Sequence, residues 1–458
     1  MPCHHQVNNF YHCPSKQRGA ALMVMLVILV MGTAAFMVSS LSRSALQIER
    51  DQKTAEALAQ ARNALIGYAT SVNLFNGSSS VRPGDLPCPD TDNDGIAGSA
   101  SSSPPLKCNL QSQRIGRLPW KTLGIPDLRD GNGERLWYAV SNNFKNNDRI
   151  GTLNSDSIGT ISIFSPSGVK TNDGNGSSGA IAVVIAPNEV ITRQDNVIQD
   201  RSAAGINDPI NYLDIVTINS VTQDNANFID SSSSDGFIQG PIKDNSGKVI
   251  LNDQFIAITK DSLMPAIQKR VANEVRLCLE DFASNNNGRY PWAAPITNLV
   301  SPYNDNNDEY FGRIPDDLTN TNNDIDNSPN SGRWGTCNTH TFNTPKTWWT
   351  NWKEMVFYGV AKIFSPTDTP APIFPSTCTT PGNCLSINGS NTPARFVVIV
   401  AGEKLSAPDQ ANRNTSSSNR SNPFYFLEGG NESANQSGSY TFTQGSPAAN
   451  FNDTLVYK

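Results

Sequence analysis

The chain is written twice. Seven short stretches recur in the same order in its two halves. AQARNALIGYA (59–69) corresponds to IQKRVANEVRLCL (267–279), GDLPCPD (84–90) to GRYPWAA (288–294), and RIGRLP (114–119) to YFGRIP (310–315). ERLWYAVS (134–141) corresponds to KEMVFYGVAK (353–362), and IAVVIAPNE (181–189) to RFVVIVAGE (395–403). DPINYLD (208–214) corresponds to NPFYFLE (422–428), and LNDQFIAI (251–258) to FNDTLVYK (451–458). Seven ordered matches imply a tandem duplication, which restricts the fold to a plan that works in two copies. The length of 458 residues agrees, being too great for one ordinary core.

Each copy has the same grammar. A helix leads, a Pro/Gly-rich loop follows, and apolar strands come after, separated by Asn/Ser/Gly/Asp loops. IAVVIA and FVVIVA are short β-branched runs suited to buried central strands. Helix first and strands after predicts an α+β module in which the helix covers one face of an antiparallel sheet.

The opening stretch KQRGAALMVMLVILVMG (16–32) follows a different logic. From Ala20 to Leu41 no residue is charged. At about 1.5 Å per residue such a run spans ~33 Å as a helix, enough for a ~30 Å hydrocarbon core. Lys16 and Arg18 precede it and no acid does, which places the leader 1–19 in the cytoplasm and the bulk outside. A cleaved secretory signal is one reading, with small residues at Gly32-Thr33-Ala34-Ala35, although the apolar run continues through Leu41. An uncleaved transmembrane anchor over 20–41 is a second. Ser42 to about Val72 has no proline, many helix formers and apolar residues at helical spacing, so a helix is expected to run from Ala20 to about Val72.

The third reading explains the glycine. A basic leader, Gly19 and about twenty apolar residues resemble the signal of type IV pilins and type II secretion pseudopilins. The resemblance implies cleavage by a prepilin peptidase between Gly19 and Ala20. It departs from the major pilins at Val24, where they carry Glu, and is similar there to PilX-type minor pilins and the K-type pseudopilin. DLRDGNGERLWYAVS (127–141) also resembles a pseudopilin element in which a Gly/Asn turn precedes an aromatic strand. The resemblance implies an α+β fold: a long N-terminal transmembrane and stem helix, then two tandem pilin-like modules. The segments are a leader 1–19, a transmembrane segment 20–41, stem helix and first module 42–260, and second module 261–458. It implies a structural subunit of a type IV pilus or type II secretion filament, located at the tip. Its partners would be other pilins or pseudopilins, the prepilin peptidase and the bacterial inner membrane, crossed once with the bulk periplasmic or extracellular. The rival is a membrane-anchored extracytoplasmic binding protein or adhesin outside any filament.

Charge and cysteine usage bound the partners. There are 35 Lys and Arg against 41 Asp and Glu, and the residues after Gly19 carry a net charge of −8. Nothing that basic tracking of phosphates needs is left, so nucleic acid is not an expected partner. Cys88, Cys108, Cys278, Cys337, Cys378 and Cys384 form an even set in loop-rich sequence, which fits disulfides in an oxidising compartment. Spacing ranks Cys378–Cys384 first and Cys88–Cys108 next, and leaves Cys278 with Cys337; other connectivities stay open.

Chemistry is sparse. Asp90, Asp92 and Asp94 before Gly95 fit the start of a calcium loop, because oxygen ligands at alternate positions can converge on one hard cation. The twelfth position is Ser101 rather than Glu, so a full EF-hand is absent. YNDNNDEY (303–310) and TNNDID (321–326) are weaker versions. Cys3-His4-His5 and His12-Cys13 have metal-ligand chemistry but sit in the leader. After the leader His340 is the only histidine, no nucleophile or phosphate motif is present, and an enzyme is not expected. Trp348, Trp349 and Trp352 are read as core rather than as a binding patch.

Overall fold

The computed structural model describes residues 18–71, 82–99, 108–146, 151–202, 205–300, 302–315, 318, 334, 337, 347–366, 384–388, 393–406 and 410–458. Two four-stranded sheets organise it. The first consists of β1 (Ile115–Arg117), β2 (Trp137–Val140), β3 (Ala182–Ala186) and β4 (Gln254–Ile258), in that spatial order and antiparallel throughout. The second consists of β5 (Phe311–Arg313), β6 (Val356–Val360), β7 (Phe396–Val400) and β8 (Thr454–Tyr457), in the same order and sense.

The registers agree residue by residue. Trp137 pairs with Ile185 and Ile185 with Phe255. Phe357 pairs with Ile399 and Ile399 with Leu455. The seven stretches matched in sequence occupy equivalent places around these two frames. The Tyr138 hydroxyl donates to the Pro87 carbonyl at 3.2 Å, and the Tyr358 hydroxyl to the Pro291 carbonyl at 3.1 Å. Arg117 stacks on Trp137 and Tyr212, and Arg313 on Phe357 and Phe426. Burial lowers both guanidinium groups to about 10, and the aromatic faces compensate part of the lost hydration.

One helix covers each sheet. α1 (Arg18–Ser71) packs on β3 and β4 through Ala57, Leu58, Ala61, Leu65 and Ala69. Their i, i+4 and i+7 spacing is the periodicity of one helical face. α2 (Lys260–Asn285) packs on β7 and β8 through residues such as Ile267, Val271 and Leu279. Each buried leucine contributes about 1.5–3 kcal/mol. The two helices also touch each other, so the helical faces of both modules share one core. On the far side of the first sheet Trp137, Ala139, Val183 and Ile185 meet Ile163, Phe228 and Phe237 in a second core. Alternation along each strand sends successive side chains to the two cores.

Two expectations are corrected. Among the described residues no helix is long and apolar enough to cross a membrane. From Glu49 onward α1 is charged. The transmembrane segment over 20–41 is therefore not supported, nor is the single-pass inner-membrane location. The modules are also not single sheets. Smaller pairings flank them, including Ser162–Phe164 with Lys170–Asn172 and Gly236–Ile238, and Leu385–Ile387 with Pro393–Ala394 and Thr441–Phe442. The long polar loops supply these extra strands.

Two disulfides close loops on the frame, Cys88–Cys108 and Cys278–Cys337. Cys384 is disulfide-bonded; Cys378 lies outside the described residues. Trp348, Trp349 and Trp352 are buried in the shared core.

Candidate functional site

The carboxylates of Asp90, Asp92 and Asp94 do converge, with one oxygen from each within 4.8 Å of the others. The loop shows why. Asp90 Oδ1 accepts from the Asp92 and Asn93 amides at 3.2 and 2.7 Å, and its Oδ2 from Gly95 at 2.7 Å. Asp94 Oδ1 accepts from Ile96 and Asp92 Oδ2 from the Ser99 hydroxyl. Asn93 and Gly95 sit at positive φ, 65° and 86°, which bends the amides towards Asp90. A Cβ on Gly95 would lie 2.6 Å from the Trp120 indole nitrogen. Burial lifts the Asp90 carboxyl to about 6 against the pull of those amides. The donor set has the chemistry of a hard-cation site, but the carboxylate of Asp90 already cradles three backbone amides. Ala294 occupies the equivalent place in the second module, since it bridges Arg313 as Asp90 bridges Arg117.

Gly19 and Ala20 lie in the first turn of α1, their side chains outside the described set. Cys3, Cys13, His4, His5, His12, His340 and the stretch 321–326 fall outside the described residues.

The most developed polar arrangement was missed in the sequence, and it is built twice. In the first module Arg201 donates to the carbonyls of Asn188 (2.7 Å), Asn211 and Tyr212 (both 3.4 Å) and to Gln199 Oε1 (3.2 Å). In the second, Arg413 donates to the carbonyls of Gly402 (3.0 Å), Tyr425 (2.8 Å) and Phe426 (3.3 Å) and to Gln410 Oε1 (3.1 Å). Each glutamine then donates to an acid, Gln199 to Asp214 and Gln410 to Glu428. Each acid donates its backbone amide to a buried aspartate, Asp214 to Asp253 (2.7 Å) and Glu428 to Asp453 (2.9 Å). Burial and the neighbouring carboxylate push Asp253 and Asp453 well above the ordinary carboxyl range. Asn252 and Asn452 complete the pattern by donating to the carbonyls of Glu189 and Glu403. These groups hold backbone, and Gln199, Asp214, Asp253, Gln410, Arg413, Glu428 and Asp453 are buried, so their chemistry is that of a staple. The signal for them was present: Gln199 and Arg201 precede DPINYLD, Gln410 and Arg413 precede NPFYFLE, and an Asn-Asp pair opens each last strand.

The two copies differ in the acid that faces the arginine. Arg201 pairs with Glu134 of its own module at 3.3 Å. Arg413 pairs at 3.0 Å with Asp156, on a loop of the first module. Glu354 stands three residues before Phe357, as Glu134 stands three before Trp137, and it pairs instead with Arg420. The loop around Asp156 is seated on the second module. Ser155 donates to the Ala401 carbonyl at 2.6 Å, the Lys404 amide to Asp156 at 3.2 Å, and Asn154 to the Asn351 carbonyl at 3.1 Å. Beside the split pairs lies a polar cleft of about 490 Å³.

No family model, no curated protein and no solved structure matches this chain.

Proposed function

We propose that the chain is a filament subunit of the minor-pilin or pseudopilin kind, with the first half of α1 as its assembly element. The observation that carries the reading is the excess length of α1. Gly84 donates to the Ala69 carbonyl as Gly288 donates to that of Ala283, which aligns the C-terminal ends of the two helices. On that alignment α1 and α2 end together, at Ser71 and Asn285, but α1 has 54 residues and α2 has 26. The extra 28 residues, Arg18 to Ala45, have no counterpart in the second module, and they extend about 42 Å.

A module needs only the α2 length to cover its sheet, so the extension serves another purpose. Its described apolar residues, Met23 to Met31, are each at least 52% exposed. Exposed apolar surface in such a row calls for a partner. In the proposed filament the same segments of neighbouring subunits cover it, packing by close apolar contact. Val24 leaves this face without the glutamate that major pilins carry, which suits a minor subunit near the tip. Prepilin peptidase and other pilins or pseudopilins are the partners this reading requires.

The test is co-purification. Sheared filaments from cells making the wild-type chain should contain it, and Val27→Asp together with Leu29→Asp should remove it while the heads stay folded. Incorporation of the double variant at wild-type level would refute the reading. The second reading, a binding protein outside any filament, is favoured by the polar cleft between the modules.

A further inference from the structure

We infer that the cleft between the two modules is a binding site for a neutral polyhydroxylated ligand, a saccharide of about disaccharide size. Its walls come from both modules. Asn143, Thr152, Asn154 and Asp156 stand on one side, and Asn351, Glu354 and Asn414 on the other. Its volume of about 490 Å³ falls within the usual range of small-molecule sites, about 300–1,000 Å³.

The cleft is a consequence of how the second copy departs from the first. In the first module the equivalent acid and arginine, Glu134 and Arg201, close on each other. In the second they are drawn apart, Arg413 to Asp156 and Glu354 to Arg420, and both acids line the opening between. Two interface residues there carry a buried polar atom without a hydrogen-bond partner, the acceptor Asp156 Oδ2 and the donor Asn351 Nδ2. Such atoms are costly unless something meets them. Asn414 is exposed at the rim, and Asn143 donates one bond, to the Ile158 carbonyl.

The lining selects the ligand class. Side-chain amides offer donors and acceptors together, as hydroxyl groups do, so each can meet a vicinal diol in either sense. Both carboxylates are matched by an arginine, and among the described residues no lysine or arginine lines the cleft. Among those residues a phosphate or other anion finds no cation to receive it. The lining is mostly polar, which disfavours an apolar ligand. The inference stands whether or not the chain enters a filament.

The experiment titrates the full, oxidised chain with cellobiose, maltose, lactose and chitobiose by calorimetry and saturation-transfer NMR, with inorganic phosphate as comparison. At about 10 mM a ligand of ~1 mM Kd is ~90% bound. At least one disaccharide should bind saturably and phosphate should not. Asn351→Ala and Asn414→Ala should each weaken that binding at least ~10-fold, with unchanged unfolding midpoints as the folding control. Asn414 is at the surface, so its variant keeps the test open if Asn351→Ala misfolds. Absence of binding by all four sugars, or binding indifferent to both substitutions, overturns the assignment.

Discussion

Replacing Arg413 by methionine removes the cation through which the second module holds the first. The arginine is fully buried and donates to three carbonyls, to Gln410 and to Asp156. Methionine fills much of the volume but leaves the Asp156 carboxylate, 14% exposed, without its counter-charge. Breaking one partner of a buried pair costs about 3–5 kcal/mol. Asp156→Asn is milder, since the amide oxygen still accepts and Arg413 keeps its other acceptors; about 1–2 kcal/mol is expected. The double variant should cost ~1–2 kcal/mol less than the sum, because the orphaned charge is gone. Arg201→Met is the internal control. Its partner Glu134 is 31% exposed, so water can take the place of the arginine and the loss should be nearer ~1–2 kcal/mol. Urea unfolding followed by tryptophan fluorescence reads this well, because Trp292, Trp334, Trp348, Trp349 and Trp352 lie in the second module. A cost for Arg413→Met below ~1 kcal/mol, or strict additivity with Asp156→Asn, would refute the clasp between the modules.

Three further outcomes are expected. Gly312→Ala should destabilise by more than ~2 kcal/mol and by more than Gly116→Ala, since the new Cβ would sit 2.0 Å from the Ala294 carbonyl oxygen against 2.5 Å from that of Asp90; denaturant midpoints check both. Asp90, lifted from 3.8 to about 6, binds its proton more tightly folded than unfolded. Its ionisation therefore opposes folding above pH ~6, and the penalty fades as the pH falls towards ~4. The stability difference between wild type and Asp90→Asn should shift by up to about 3 kcal/mol across that window in favour of the wild type at low pH, and a flat difference would contradict the burial argument. Removing the Cys278–Cys337 bridge by a double Ala substitution should cost about 4 kcal/mol, and removing Cys88–Cys108 about 3, because the sequence separations are 59 and 20; a reversed order in urea unfolding would count against loop closure as the cause.

Much of the frame was legible because duplication is a pattern in the letters themselves. The β-branched runs at 182–186 and 396–400 announced the central strands, and the matched Gly-Arg steps at 116–117 and 312–313, read only as a repeat, prove to be edge strands. Helix boundaries were less legible. α2 begins at Lys260, seven residues before the matched stretch 267–279, and the Ser262 hydroxyl accepts from the Thr259 amide at its start. The flanking small sheets were not foreseen, since their strands are two or three residues long and lie in polar loops. Asp90 drew attention for its spacing; that its carboxylate also accepts from the amides of Asp92, Asn93 and Gly95 is a feature that spacing alone does not show. The cleft residues carried no signal. They are isolated asparagines, threonines and acids brought together by packing between modules, over sequence separations of about two hundred residues.

The central claim, that the start of α1 is an assembly element released from a leader, is tested most directly by the amino terminus. The chain would be produced with and without a prepilin peptidase, and its intact mass and terminal sequence determined. A start at Ala20 that depends on the peptidase is the predicted result. An intact Met1 in the presence of the enzyme, or a start near Ala35, would contradict it and leave a two-module binding protein.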